Sequence, residues 1–410
     1  LKKGGKLGFL VPLTLFKTQA GAGFRDFLAK NTRVLAIHDM VTLYPFQEAI
    51  NRTAAVIVEK PCELKEKERN NCIESRKGNM EIRHFIWINK LGKKPIPTDM
   101  PLEEVKKVTH RYEAVMVPLD ENDPSSPWMQ ITPKLVNEVR KVQRGVQTYT
   151  AHSGVYAGFD QIYFVKVEDK FPDGKLLMTN PPQPGQKKKV DQVEAKVEPD
   201  LVYPLVRGRN IKRWFVGEGD SYIIVPHDSK GKPLQEKEMK IKYPGTYSYL
   251  YKFKSDLESR QIYKKLGKRE PFYTLFGIGE YTFTPYKVVW KHISGSITGK
   301  ADFNCAVIGY KDDKFLGRKL TIPNHSLMLV PLQSEEEAYY LAGVLNSSIV
   351  RAIVASYTIE TEIATNVVDT IKVPKYDPSN ELHRRIMELS RRAHEIAKEI
   401  YQDGRKDLEE

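Results

Sequence analysis

A short run of cations and amides near the middle of the chain contains the residue types that read nucleic-acid bases. It consists of Arg207-Gly-Arg209-Asn210, followed at once by Lys212-Arg213-Trp214. Arginine suits two-point contacts with a guanine edge, and asparagine suits them with an adenine edge. A solvated hairpin with Ile211 and Trp214 in the core would show the same pattern. The candidate base-contacting residues are Arg207, Arg209, Asn210, Lys212 and Arg213.

A second basic cluster lies further along the chain and suits phosphates better than bases. The 410-residue chain carries a formal net charge of +13. This excess favours a polyanionic partner, because each lysine or arginine placed beside a phosphate releases condensed counterions. Net charge alone does not separate DNA, RNA and an anionic membrane. The candidate phosphate contacts are Lys264, Lys265, Lys268 and Arg269.

Composition argues against a membrane and against an oxidising compartment. Apolar runs such as residues 7–15 and 54–58 are far shorter than the roughly 20 residues that a membrane-spanning helix needs. No secretory signal opens the chain. The three cysteines, Cys62, Cys72 and Cys305, cannot form a disulfide framework for a chain of this length. We expect a cytoplasmic protein with no membrane partner.

One further pattern raises the question of metal chemistry. Pro172-Asp173 followed by Glu194-Ala-Lys196 has the order of a nuclease core, in which two carboxylates hold a divalent metal and a lysine assists the attacking water. Both acids fall in a polar loop region, whereas such acids normally lie on adjacent strands. The histidines form no HxH or HExxH motif, and no P-loop is present. We therefore expect no metal site in this chain.

The elements expected to position these groups change character along the chain. In residues 1–60 the pattern predicts a strand over 7–12, a helix over 24–30 and strands over 34–39 and 53–58. The first of these is a continuous apolar run, which is typical of a strand buried on both faces. Three strands and one helix suggest the edge of an α/β sheet.

The rest of the chain divides into a connector, a strand-rich region and helices. Residues 61–145 are rich in charge and proline, apart from an alternating strand pattern over 81–88, and are interpreted as a connector. Residues 146–376 are mostly strand-like and form an α+β domain. Residues 377–410 form a terminal helix, on which Leu382, Ile386 and Leu389 begin an apolar stripe. A capping box at Ser334 predicts a helix start, with an apolar helix over 338–355.

The first of two blocks resembles the last strands of a TaqI-type adenine-N6 DNA methyltransferase domain. It comprises Gly4-Gly-Lys-Leu-Gly-Phe-Leu-Val-Pro12, then Phe24-Arg-Asp-Phe-Leu28, then Tyr44-Pro-Phe-Gln-Glu-Ala-Ile-Asn-Arg-Thr-Ala-Ala-Val-Ile-Val-Glu-Lys60. In that family an aromatic residue just before the last hairpin stacks on the flipped adenine, and Phe46 occupies the matching position. The resemblance thus implies a partial Rossmann-like methyltransferase sheet and makes Phe46 a catalytic-site residue.

The second block resembles the C-terminal target-recognition domain of the same family. It includes residues 152–160, 201–214, 286–291, 339–348 and 370–374. Each segment is a weak match alone, but the order and spacing of the five segments together make the resemblance specific. The resemblance implies double-stranded DNA as partner and S-adenosylmethionine as cofactor of the full-length enzyme. It implies a restriction–modification or phage-defence system, with either a restriction endonuclease partner or a fused nuclease domain.

The chain departs from the family in lacking the two motifs that carry its chemistry. The glycine-rich cofactor loop and the Asn/Asp-Pro-Pro-aromatic loop do not precede residue 1, and Asn180-Pro-Pro-Gln183 ends in glutamine and not in an aromatic residue. We interpret the chain as an N-terminally truncated fragment that binds no cofactor and does not methylate DNA alone. Two alternatives stay open: a non-enzymatic DNA-specificity subunit, and the recognition half of a fused restriction endonuclease.

Overall fold

The computed structural model divides the chain into two compact units. The N-terminal unit comprises residues 1–144, 296–301 and 352–361, and the C-terminal unit comprises the rest. The structure describes residues 1–2, 4–44, 46, 53–60, 80–92, 94–97, 99–185, 188–265, 269–293, 303–358 and 363–402. Cys62, Cys72 and Lys268 lie outside the described residues.

The N-terminal unit is built on one mixed sheet of six strands in the order β1-β3-β2-β4-β5-β6. β3 runs antiparallel to both β1 and β2, whereas β2 and β4 are parallel. The elements are β1 Lys6–Pro12, α1 Thr14–Lys17, α2 Ala22–Asn31, β2 Arg33–Asp39, β3 Thr53–Glu59, β4 Ile82–Asn89, α3 Leu102–Lys107, β5 Thr109–Asp120, β6 Asp123–Ile131 and α4 Val136–Gln143.

The strands and the helix predicted in residues 1–60 are present, but the expected burial of β1 is wrong. Leu7 and Leu10 are 43% and 54% exposed, and Val11 is the buried residue of the strand. The physical reason is position, since β1 is the last strand at one edge of the described sheet. An apolar run predicts a strand well, but it does not show how many neighbours the strand has.

The stretch interpreted as a connector adds three strands to the same sheet. β4, β5 and β6 continue from β2 in that order, and the buried Trp128 of β6 stacks on Phe16 at 5.5 Å between ring centroids. Arg25 is completely buried and donates to the carbonyl oxygens of Leu15, Thr18 and Ser125. The structure thus differs from a separate connector, because the first compact unit extends to residue 144.

The C-terminal unit contains a six-stranded sheet, a four-stranded sheet and two hairpins. The sheet orders are β10-β9-β8-β14-β11-β19 and β16-β15-β20-β7, and the hairpins are β12-β13 and β17-β18. Its strands are β7 His152–Ser153, β8 Phe164–Lys170, β9 Leu176–Thr179, β10 Glu194–Val197, β11 Val202–Val206, β12 Ile211–Lys212, β13 Phe215–Val216, β14 Tyr222–Ile224, β15 Tyr286–Lys291, β16 Cys305–Ile308, β17 Tyr310–Asp313, β18 Gly317–Leu320, β19 Ile322–Pro323 and β20 Leu327–Leu332.

Helices lie between these strands and follow them. They are α5 Asp160–Tyr163, α6 Glu236–Lys242, α7 Pro244–Lys252, α8 Lys254–Ser259, α9 Gln261–Lys265, α10 Glu335–Leu345, α11 Ser348–Tyr357, α12 Val367–Thr370 and α13 Glu381–Gln402. Residues 352–357 of α11 belong to the N-terminal unit. The mixed α/β architecture with C-terminal helices is as predicted. In the described part of the chain no single helix is long and apolar enough to cross a membrane; α10 and α11, bent by 62°, pass that test only as a pair.

Two details of the helices differ from the sequence expectations. Ser334 accepts a hydrogen bond from the backbone N–H of Glu337, as the capping box predicts, but the helix ends at Leu345 and a second one begins at Ser348. On α13 the expected apolar stripe is buried at Ala397 and Ile400 but not at Leu382 and Leu389, which are 64% and 53% exposed. Met387 and Ser390, which lie outside the expected stripe, are buried as well.

Candidate nucleic-acid interface

The basic turn after β11 presents Arg209 to solvent and uses its neighbours to hold the turn. The Asn210 side chain accepts a hydrogen bond from the backbone N–H of Arg207 at 3.0 Å and donates to the Glu218 carbonyl oxygen at 3.3 Å. The N–H of Gly208 donates to Ser326 Oγ at 2.7 Å, which fixes the turn to the segment before β20. Arg209 is exposed, and its side chain has no hydrogen bond or ion pair within the described residues.

Arg207 occupies a different environment from Arg209 although only one residue separates them. Its Nη1 donates to Gln183 Oε1 at 2.8 Å, and its guanidinium lies over the Phe164 ring at 5.3 Å. Burial lowers the pKa of Arg207, the nearby Arg209 lowers it further, and Asp160 opposes the shift. An arginine that is engaged in this way has fewer donors left for a base, so its role is to shape the loops around it.

Lys212 and Arg213 lie on the β12-β13 hairpin and contact the C-terminal helices. Lys212 Nζ lies 3.7 Å from the centroid of the Tyr401 ring. Arg213 Nη2 donates to the Asn346 carbonyl oxygen at 2.9 Å. Trp214 has a positive φ of 63°, which turns the chain sharply, and its ring packs edge-on against His394. The structure therefore separates Lys212 and Arg213 from the exposed Arg209.

His394 anchors the same hairpin region and must be neutral to do so. Its Nε2 accepts a hydrogen bond from the Val307 N–H at 3.2 Å, and its Nδ1 lies 2.7 Å from the Ser390 carbonyl oxygen. These partners assign the proton to Nδ1. Burial lowers the pKa of His394 to about 4, which is consistent with an acceptor at Nε2.

An exposed tyrosine projects from a rigid loop beside the basic turn. Tyr156 is 39% exposed, and its backbone exchanges hydrogen bonds with Phe276 at 2.8 and 3.0 Å. Val155 pairs on its other side with the chain at Pro323 and His325. Gly158 has a φ of +69°, and a Cβ there would lie 3.1 Å from Arg260 Cδ. The loop from Gly154 to Asp160 is thus held in one conformation, and Tyr156 is preorganised for contact.

Arg260 fixes this loop from inside the unit. It is 5% exposed and donates hydrogen bonds to the carbonyl oxygens of Ala157, Leu257, Phe272 and Thr274, at 2.6 to 2.9 Å. Because carbonyl oxygens take up all these donors, Arg260 is a structural residue. α9 starts at the next position and ends with the exposed Lys264 and Lys265. Arg269 is exposed as well.

The two acids that suggested nuclease chemistry do not come together. In the β9-β10 hairpin Glu194 pairs with Thr179 at one end, whereas Val197 pairs with Leu176 at the other. Asp173 precedes Leu176 and binds Lys196 Nζ at 2.8 Å, so the two acids lie at opposite ends of the hairpin. In the part of the chain that the structure describes, no group of three or more His, Cys, Asp or Glu residues could hold a metal.

The Asn180 side chain forms hydrogen bonds within its own loop. It is completely buried; its Nδ2 donates to the Asp191 carbonyl oxygen at 3.0 Å, and its Oδ1 accepts from the Val193 N–H at 2.7 Å. The side chain that would have to grip a target amine is therefore unavailable. The Asn180-Pro-Pro-Gln183 sequence braces a surface loop and does not form a methyl-transfer site.

Phe46 lies in the N-terminal unit between β2 and β3 and is 48% exposed. Tyr44, two residues earlier, has a left-handed φ of 49° and is 42% exposed. Residues 45 and 47–52 lie outside the described part of the chain. An exposed phenylalanine is available for contact with a planar ligand.

Sequence reasoning did not select Asp160, Gln183 and His325, although all three line a cavity beside Tyr156. Asp160 ends the 152–160 block that carries the family resemblance. Gln183 ends the Asn180-Pro-Pro-Gln183 sequence, which suggested a different role. His325 is far from Asp160 in sequence and no local pattern marks it; a bridge between Val155 and the preceding Asn324 brings it to the loop.

Comparison with known proteins finds relatives but no matching family model. The chain is 25% identical over 159 residues to the type II methyltransferase M.NspV of Nostoc sp., covering 38% of this chain and 29% of that protein. It is 27% identical over 154 residues to the type II methyltransferase M.MjaIV of Methanocaldococcus jannaschii, covering 38% of this chain and 46% of that protein. The matched stretches thus span less than half of either curated relative.

Solved structures were compared as well. The type IIL restriction–modification enzyme MmeI, solved in complex with DNA, aligns with 98% of this chain and 43% of its own, at a TM-score of 0.49 and 9% identity. The type IIG restriction endonuclease BpuSI aligns with 95% of this chain and 42% of its own, at a TM-score of 0.28 and 12% identity. These scores do not establish a shared fold.

Proposed function

We propose that this chain, a relative of the type II methyltransferases, recognises DNA within a site-specific adenine-N6 DNA methyltransferase of a restriction–modification or phage-defence system. The observation that carries the proposal is that two loops of the C-terminal unit, residues 154–160 and 207–210, are held by hydrogen bonds and expose Tyr156 and Arg209 to solvent. A net charge of +13 supplies the attraction for phosphates. Rigid loops with free donors suit base reading, because little conformational freedom is lost on binding.

In this proposal the basic residues of the C-terminal unit have different roles. Arg209 reads a guanine edge with its free guanidinium. Asn210 and Arg207 orient the turn, Lys212 and Arg213 join the hairpin to the helices, and Lys264, Lys265 and Arg269 contact phosphates. Lys268, which lies outside the described residues, joins the phosphate contacts by sequence alone.

The N-terminal unit contributes the stacking residue in this proposal. We infer that its sheet is the end of a Rossmann-like methyltransferase domain, and the exposed apolar edge of β1 supports a sheet that continues beyond it. Phe46 would stack on the flipped adenine. S-adenosylmethionine would supply the methyl group in the full-length enzyme.

The test of this function is duplex binding as a function of salt. We expect the 410-residue chain to bind mixed-sequence duplex DNA with a log affinity that falls linearly with log salt, by about 0.9 for each phosphate contacted. Fluorescence anisotropy between about 50 and 200 mM salt measures the slope. An affinity that stays flat over this range would refute a phosphate-dominated interface.

Two matched variants distinguish a residue that reads a base from a residue that contacts a phosphate. Arg209→Ala should weaken binding to the preferred duplex by about 1–3 kcal/mol and leave binding to random duplex nearly unchanged. Lys265→Ala should weaken both duplexes alike and reduce the salt slope by about one contact. Competition binding with both duplexes measures the difference. Equal losses on the two duplexes for Arg209→Ala would exclude it from sequence reading.

Phe46 is tested in the full-length enzyme. A flipped adenine has lost its stacking neighbours, and an aromatic face restores about 1–3 kcal/mol of that energy. Phe46→Ala should therefore slow single-turnover methylation while duplex binding persists, and Phe46→Trp should retain more activity because it keeps an aromatic face. If Phe46 only packs in its loop, both variants lower the melting temperature instead, and a folded Phe46→Ala enzyme methylates at the wild-type rate.

A further inference from the structure

An open cavity of about 360 Å³ lies beside the basic turn in the C-terminal unit. The exposed Tyr156 stands at it, and its wall includes Asp160, Gln183, Lys188 and His325. Two of these residues are close to the turn that contains Arg209. Gln183 binds Arg207, and His325 precedes Ser326, which binds Gly208. A nucleic acid in contact with Arg209 and Tyr156 would therefore place other parts of its bases or backbone at this cavity.

The unusual member of this cavity is Asp160. Its side chain is half-buried, and within the described residues its carboxylate accepts no hydrogen bond. Burial raises the pKa of Asp160, while His325 and Arg207 oppose that shift. A partly desolvated carboxylate without a hydrogen bond is costly, so the group is poised to accept a donor from outside the chain.

The charge of Asp160 decides which part of a nucleic acid the cavity suits. A carboxylate repels a phosphate, so the cavity is unsuited to the DNA backbone although cations surround it. Lys188 does not cancel this charge directly, because its Nζ binds Asp256 at 2.7 Å. The amino group of a base edge is a donor without a negative charge, and an acidic side chain accepts it well.

The other polar side chains of the wall are engaged or buried, whereas the Asp160 carboxylate accepts no hydrogen bond within the described residues. Gln183 receives Arg207 Nη1 on its Oε1 and donates its Nε2 to the Pro181 carbonyl oxygen at 2.9 Å. His325 packs its ring edge-on against Tyr156 at 5.0 Å, and its Nδ1 is buried with no hydrogen-bond partner in the described chain. Burial lowers the pKa of His325, which favours the neutral ring.

We propose that Asp160 is a specificity-determining residue that accepts the exocyclic amino group of a cytosine or adenine in the major groove, with Tyr156 as the aromatic wall beside it. This inference rests on the proposed DNA-recognition function and adds a second reader to Arg209. Arg207 is a positioning residue here, since it holds Gln183 and faces Asp160 without contacting the base.

The experiment removes single amino groups from the DNA. Selection from a randomised duplex library by the 410-residue chain first defines the preferred site. Each cytosine of that site is then replaced by 2-pyrimidinone and each adenine by purine, which lack the amino group. For the wild-type chain we expect one position at which this loss weakens binding by about 5- to 150-fold. That position identifies the base as cytosine or adenine.

Asp160→Ala should bind the natural and the analogue duplex equally at that position. It should also bind random duplex more tightly, because a negative charge has left the interface. Asp160→Asn keeps the shape and one acceptor oxygen, so we expect an intermediate penalty. Asp169→Ala on β8, which removes an exposed carboxylate from the same unit, is the matched control and should keep the wild-type penalty.

The outcomes distinguish the two levels of the argument. A wild-type chain that shows no salt-dependent duplex binding overturns the proposed function and this inference with it. A wild-type chain that binds selectively, with an Asp160→Ala variant that keeps the full analogue penalty, overturns only the role of Asp160. Thermal melting of each variant shows whether an effect follows a loss of fold, and the ratio of natural to analogue binding is unaffected by the fraction of active protein.

Discussion

Arg260→Met should lower the free energy of unfolding of the C-terminal unit by about 3–5 kcal/mol and abolish sequence-selective DNA binding. The guanidinium donates to four carbonyl oxygens, and methionine fills similar space without any donor. Each buried carbonyl left without its donor costs about 1–3 kcal/mol, part of which relaxation recovers. One of these bonds ends at Ala157, next to Tyr156, so the loss reaches the recognition loop directly.

Two further variants show whether the hydrogen bonds or the charge of Arg260 matter. Arg260→Lys retains the charge, but an ammonium on a flexible stem cannot serve all four carbonyls, so we expect a smaller loss of about 2–3 kcal/mol. Arg384→Met on the exposed side of α13 is the matched control and should stay within about 0.5 kcal/mol of the wild type. Urea unfolding measures each value. An Arg260→Met variant as stable as the control would remove Arg260 from its proposed structural role.

The sequence predicts the position of individual strands far better than it predicts which strands pair with one another. Strands over 7–12, 34–39, 53–58 and 81–88 are present because apolar runs and alternation are local properties. The exposure of Leu7 and Leu10 on β1 depends on sheet order, which these patterns do not contain. The inclusion of β4, β5 and β6 in the first sheet depends on pairing across a stretch that composition alone marks as a connector.

The same limit applies to the candidate site. Five neighbouring basic and amide residues look alike in sequence, yet Lys212 and Arg213, which precede the left-handed turn at Trp214, contact the C-terminal helices. Arg209 stays exposed because Asn210 and Ser326 hold its turn by backbone hydrogen bonds. The cavity that contains Asp160 and His325 forms only when segments more than 160 positions apart meet, so no local motif could identify it.

Lys287→Met should stabilise the C-terminal unit by about 1–4 kcal/mol near pH 6. Lys287 is completely buried on β15, the second strand of its sheet, between Ile308 and Pro331 of the neighbouring strands. Its Nζ donates to the Thr284 carbonyl oxygen at 2.7 Å, and it forms no ion pair with a carboxylate within the described residues. Burial lowers its pKa from 10.5 to about 7. Methionine has a similar length and no charge to desolvate, so it removes this cost.

The pH dependence gives the sharper test. Below about pH 7 the lysine is protonated in both the folded and the unfolded chain, so the folded state bears the full cost of a buried ammonium. Between about pH 7 and 10.5 the folded lysine is neutral while the unfolded one still binds a proton. The unfolded state then holds more protons, so wild-type stability rises with pH and the advantage of Lys287→Met shrinks.

Urea unfolding at about pH 6, 8 and 9.5 follows this difference across the titration. Lys291→Met, at the half-buried end of the same strand, is the control for substitution itself and should change stability by less than about 0.5 kcal/mol. A Lys287→Met variant that is less stable than the wild type near pH 6 would mean that the hydrogen bond to Thr284 outweighs the cost of burial. A stability difference that does not change with pH would show that Lys287 does not titrate in this range.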